Sequence, residues 1–90
     1  EVYALTNLTS LFLNKIGIEE VPSSISNLSA LKELALSGNK LGTFPFAATA
    51  ALYRLEKLEL YGNKLNIVPD IDRFFCLRLL YLSQNPLTTL

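Results

Sequence analysis

Ninety residues carrying eight basic and eight acidic side chains form a single domain, residues 1–90, without the cationic footprint that a nucleic-acid binder needs. Half of the residues are hydrophobic and 18% are charged, a balance that buries a core and excludes a disordered chain. There is no histidine, so the commonest general base and metal ligand is missing.

The opening EVYALTNL has neither a basic start nor a continuous apolar run, and the expectation is that it is not a signal peptide. Val2, Leu5 and Leu8 stand three apart, which suits a turn or two of 3₁₀ or short α-helix with one buried face. Leu11-Phe12-Leu13 then alternates as a short strand does, with Leu11 and Leu13 inward and Phe12 outward. Ile16 and Ile18 are expected to continue the inward row. Pro22 holds Val21 extended, and Ser23 or Ser24 is expected to cap the turn that carries Ile25 and Leu28.

The same frame returns in LKELALSGNKLGTFP, with Leu31, Leu34, Leu36, Asn39, Leu41 and Phe44 ahead of Pro45. The alanine-rich leg that follows, with Ala48, Ala51 or Leu52, and Leu55 at helical spacing, predicts an α-helical turn. A third copy uses Leu58, Leu60, Asn63, Leu65, Val68 and Pro69. Its return leg offers Asp70 or Asp72 as a cap, with Ile71, Phe74 and Leu77 three apart. A fourth copy runs from Leu77 through Leu80, Leu82, Asn85 and Leu87 to Leu90.

Four copies at intervals of 23, 24 and 22 residues are a period, and a period in this range signals a repeat architecture. Strands are expected near residues 10–14, 33–37, 57–61 and 79–83. A three-residue strand cannot stand alone, but stacked copies pair into a parallel sheet over one continuous leucine core. Each strand is followed by a turn whose backbone groups face that core. Asn39, Asn63 and Asn85 recur there, and an amide side chain supplies both donors and an acceptor, so the three can form a structural ladder. Gly38 and Gly62 precede two of them and permit the bend.

The frame L-x-x-L-x-L-x-x-N-x-L resembles the leucine-rich repeat, and three of the four copies match it in full. The proline after the second apolar pair resembles the LP-type subclass with repeats of 22–24 residues. The resemblance implies an α/β solenoid: a right-handed curved array with short parallel strands on the concave face and 3₁₀ or short α turns on the convex one. It also implies a module that binds a protein partner through the concave face. Ile16 departs from the pattern by standing where the ladder asparagine belongs. No polar capping unit is recognisable at either end. The chain is therefore expected to be a fragment of a longer array, or one whose open ends meet a partner or another copy of itself as a homo-oligomer.

Little in the sequence points to chemistry, and the expectation is no enzyme, no cofactor and no metal. No Ser or Cys nucleophile has an evident base, and no phosphate-binding glycine motif occurs. Glu19-Glu20 and Asp70-Asp72 fall in connecting segments and are weak as Ca²⁺ ligands. Cys76 is expected to be a buried structural thiol, and a lone cysteine favours a cytoplasmic setting. Sequons at Asn7 and Asn27 leave an extracellular one open. By alternation the outward residues are Ser10, Phe12, Asn14, Glu33, Ala35, Ser37, Lys57, Glu59, Tyr61, Leu79, Tyr81 and Ser83. Of these, Phe12, Asn14, Glu33, Lys57, Glu59, Tyr61, Leu79 and Tyr81 are the candidate partner-binding residues. No nucleic acid and no membrane insertion are expected. The alternatives are a fragment of an extracellular ligand-recognition receptor, the substrate-recruiting arm of a larger enzyme, and a pathogen effector.

Overall fold

The computed structural model describes residues 6–44, 50–68, 72 and 74–88. Val2, Leu5, Pro45, Ala48, Pro69, Asp70, Ile71 and Leu90 lie outside the described residues.

Three-residue strands persist here because they stack. β1 (Ser10–Phe12), β2 (Glu33–Ala35), β3 (Lys57–Glu59) and β4 (Leu79–Tyr81) form one parallel sheet in chain order. The register aligns Leu11, Leu34, Leu58 and Leu80, so equivalent positions of the repeat meet across every rung. Backbone pairing runs one step further, from Leu13 N–H to Ala35 O (2.8 Å), Leu36 N–H to Glu59 O (2.9 Å) and Leu60 N–H to Tyr81 O (2.9 Å). The strands stop two residues short of their expected bounds because the chain turns. Lys15, Gly38, Gly62 and Gln84 occupy the same place in the frame, with φ of 57°, 70°, 69° and 59°. This left-handed region is one that glycine enters freely and other residues enter at a cost.

Apolar side chains from each rung stack on their counterparts. Leu34, Leu36, Leu41, Leu52, Leu55, Leu58, Leu60 and Leu65 are fully buried, because each has a neighbouring rung on both sides. Leu13 and Ile18 on the first rung, and Leu80, Leu82 and Leu87 on the last, pack against the same core but are only partly buried. The return legs close by repeated i→i+3 turns: Leu31 N–H to Leu28 O, Leu55 N–H to Leu52 O, and Leu77 N–H to Phe74 O. The first leg holds a 3₁₀ turn, Ser23–Asn27, and residues 50–51 of the second are α-helical. Phe44 and Phe74 meet edge-on, ring centres 6.3 Å apart.

Four expectations are corrected. Ile16 does not continue the inward row: it is 61% exposed, in the turn after β1, the end strand of the sheet among the described residues, where the Asn39 side chain of the next rung takes its N–H. Neither Ser23 nor Ser24 caps the 3₁₀ turn, which begins after Pro22 with no side-chain cap; Ile25 N–H bonds to Pro22 O instead. Cys76 is exposed, because Phe74 and Leu77 take the inward positions of their turn and leave Phe75 and Cys76 facing out between them. Ala35 and Ser37 belong to the outward rows yet are buried. Both are small and lie between larger neighbours, Ala35 between Phe12 and Glu59 and Ser37 between Asn14 and Tyr61.

Candidate interaction surface

Behind the strands, the asparagine side chains hold the turns together. Asn39 Oδ1 accepts from Ile16 N–H (3.0 Å) and Ile18 N–H (3.1 Å), while its Nδ2 donates to Leu13 O (3.0 Å) and Leu36 O (2.8 Å). Asn63 Oδ1 accepts from Leu41 N–H (3.0 Å), and its Nδ2 donates to Leu36 O (3.0 Å) and Leu60 O (2.9 Å). Asn85 repeats this with Leu65 N–H (3.0 Å), Leu60 O (2.8 Å) and Leu82 O (2.9 Å). Each amide bridges two rungs, and the strand register is thereby pinned on both sides of every turn.

In front, the outward side chains stand in three rows. The first runs Ser10, Glu33, Lys57, Leu79 and the second Phe12, Ala35, Glu59, Tyr81. The third, continuing the register into the turns, runs Asn14, Ser37, Tyr61, Ser83. Phe12 (59%), Leu79 (48%), Tyr81 (42%) and Tyr61 (39%) are exposed on this face. The polar groups between them are tied down. Ser10 Oγ donates to Glu33 Oε1 (3.0 Å), and Asn14 Oδ1 accepts from Ser37 N–H (2.7 Å). Lys57 Nζ lies 3.5 Å from Glu59 Oε2 on its own strand and 5.9 Å from the centre of the Tyr81 ring. The ion pair thus forms along β3, between residues two apart on the same strand, and not across rungs. Among the described residues, buried Ser37 Oγ has no hydrogen-bond partner.

A groove of about 560 Å³ runs along the upstream end of the strands, lined in each rung by the first strand residue and the one before it, from Thr9 and Ser10 to Arg78 and Leu79. Thr9, Lys32, Glu56 and Arg78 escape alternation, which would turn the residue before each strand inward. The backbone departs from regular pairing there: Thr9 O accepts from both Lys32 and Glu33 N–H, Lys32 O from Glu56 and Lys57, and Glu56 O from Arg78 and Leu79. Such doubled acceptance is a local kink that re-aims a side chain. The signal in the sequence is a column that is polar in all four copies, beside leucines that are inward in all four.

Among the described residues, no group of three or more His, Cys, Asp or Glu could hold a metal ion, and no helix is long and apolar enough to cross a membrane.

Comparison with known proteins matches the stacked geometry. A family model for the leucine rich repeat covers residues 6–65. The chain is 35% identical over 65 residues to a probable serine/threonine-protein kinase of Dictyostelium discoideum, covering 72% of this chain and 5% of that protein. It is 37% identical over 87 residues to a protein phosphatase 1 regulatory inhibitor subunit homologue of Arabidopsis thaliana, covering 93% of this chain and 26% of that one. Among solved structures, a leucine-rich repeat protein of Leptospira interrogans superimposes with a TM-score of 0.87 at 33% identity, over 93% of this chain and 21% of its own. The chain thus spans about a quarter or less of the length of these proteins. Its rungs, its asparagine-bridged turns and these matches agree: the chain belongs to the leucine-rich repeat family.

Proposed function

We propose that the chain is a non-enzymatic interaction module that binds a protein partner through the concave, strand-lined face. The observation that carries this is the placement of Phe12, Tyr61, Leu79 and Tyr81, exposed on a sheet that backbone and asparagine hydrogen bonds hold rigid. Large aromatic side chains anchor protein interfaces because they bury much apolar area while losing little rotamer freedom. The rival role, mutual cover between rungs, accounts for Ala35 and Ser37 but leaves these four side chains in water. The Arabidopsis relative is named a regulatory inhibitor subunit, a role exercised on another protein. Affinity capture with wild type and with Tyr61→Ala/Tyr81→Ala tests the proposal. Loss of the captured partners from the double variant is expected, and equal retention refutes the concave-face assignment.

One observation favours a second reading, in which the repeats recruit substrate to a catalytic domain elsewhere in a longer protein. The matched segment makes up 5% of the Dictyostelium kinase. Joining the chain to its flanking sequence and assaying phosphoryl transfer separates the two.

A further inference from the structure

Thr9, Lys32, Glu56 and Arg78 form one column along the upstream groove. Lys32 N–H bonds to Thr9 O (2.7 Å), Glu56 N–H to Lys32 O (2.7 Å) and Arg78 N–H to Glu56 O (2.8 Å), so the four residues stand on successive rungs. All four line the same groove of about 560 Å³. Charge alternates along the last three: cation, anion, cation. Lys32 and Arg78 are exposed, and Glu56 between them is half-buried. The other charged groups of the groove are engaged, Glu33 by the Ser10 hydroxyl and Lys57 by Glu59. Among the described residues, no ion pair or side-chain hydrogen bond engages Lys32, Glu56 or Arg78. The groove therefore presents a fixed order of three uncompensated charges.

We infer that the protein partner lays a helix across the rungs at this groove and presents an acidic, a basic and an acidic side chain, one per turn, to Lys32, Glu56 and Arg78. This specifies the chemistry of the partner and rests on the reading that the strand-lined face binds protein. Spacing selects the helix. Paired strands lie about 4.8 Å apart, so the column spans roughly 10 Å from Lys32 to Arg78. Side chains at i, i+4 and i+7 of a helix recur at about its 5.4 Å pitch and span about 10.5 Å. Same-face residues of an extended segment are about 6.7 Å apart, and three of them overshoot at about 13 Å. Sign excludes a polyanion: a nucleic acid or a run of carboxylates that satisfied Lys32 and Arg78 would set a like charge on Glu56. Leu79, 48% exposed at the Arg78 end of the groove, offers contact to an apolar residue beside the second acid. Charges placed in this way act mainly on association and on discrimination between partners.

Fluorescence anisotropy of labelled, hydrocarbon-stapled alanine-based helices against the 90-residue chain tests this. One helix carries Glu, Lys and Glu at i, i+4 and i+7 with a leucine beside the last. A second has the same composition in the order Glu, Glu, Lys. The first should bind about three- to tenfold more tightly than the second, and its affinity should fall as salt rises. Glu56→Lys, its fold verified by unchanged thermal melting, should cancel that preference and bind a Glu, Glu, Glu helix most tightly of the three. Equal binding of the two orders by wild type, no measurable binding, or a preference that Glu56→Lys leaves unchanged overturns the inference. The concave-face proposal is then still decided by Tyr61→Ala/Tyr81→Ala, whose side chains stand in other rows. Order-selective binding together with full capture of partners by the tyrosine variant upholds the groove and refutes the aromatic anchors. Tighter binding of an extended Glu-Pro-Lys-Pro-Glu peptide than of either helix overturns the helical spacing.

Discussion

Asn63→Ala tests whether the turns are held by the asparagine column. Asn63 is 7% exposed, and its amide makes three bonds of 3.0 Å or less to backbone groups on two rungs, with a fourth, longer one to Tyr61 O at 3.5 Å. Their loss is unequal. Leu36 O keeps the Asn39 amide at 2.8 Å, and Leu60 O keeps the Asn85 amide at 2.8 Å. Leu41 N–H loses its acceptor inside the core. One stranded donor at about 1–3 kcal/mol, and two shared acceptors that each lose one bond at about 0.5–1.5 kcal/mol, sum to about 2–6 kcal/mol. Asn85 makes the same bonds in a partly buried setting, where water replaces part of what is removed, so Asn85→Ala costs less. Urea unfolding followed by far-UV circular dichroism measures both. The denaturant slope should be unchanged if the stack unfolds as one unit. The melting temperature of Asn63→Ala should fall by about 10 °C or more, since each kcal/mol shifts a domain of this size by about 4–8 °C. An Asn63→Ala within 0.5 kcal/mol of wild type, or no costlier than Asn85→Ala, refutes the bookkeeping.

Leu60→Ala empties a fully buried site between two rungs and should cost about 2–5 kcal/mol. Hydrogen exchange should then speed up in all four rungs, and loosening confined to one end would contradict a continuous core. Ser37→Ala removes a buried hydroxyl that has no partner among the described residues. It should stabilise the chain by up to about 1 kcal/mol, and a destabilisation in urea would mean that the hydroxyl is bonded. Gly62→Ala puts a side chain at φ 69° and should cost about 1–2 kcal/mol, while Gln84→Gly at φ 59° relieves the same strain and should not destabilise. Melting temperatures that move in the reverse order would show that the turn is not limited by backbone conformation.

The repeat made the architecture legible before any coordinates. Leucine at fixed offsets can face one core only if the copies stack, and the register of Leu11 on Leu34, Leu58 and Leu80 is what that stacking requires. The outward rows were legible for the same reason, since side chains alternate along any strand. Extent of exposure was not. Phe12 and Ala35 hold equivalent positions, yet one is open and the other covered, because Ala35 is small and its neighbours on the adjoining rungs are not. The groove residues Lys32, Glu56 and Arg78 were hidden by a kink that alternation does not contain.

By itself, the sequence determined the repeat, the strand faces and the inward leucines, since all three follow from spacing and local backbone geometry. Tertiary structure alone decided that Ile16 and Cys76 face out, that Lys57 pairs along its strand, and that Lys15 reaches over Gly38. Exposure and side-chain contact depend on residues 22–24 positions away, brought alongside only when the rungs stack, and no local pattern records their size or reach.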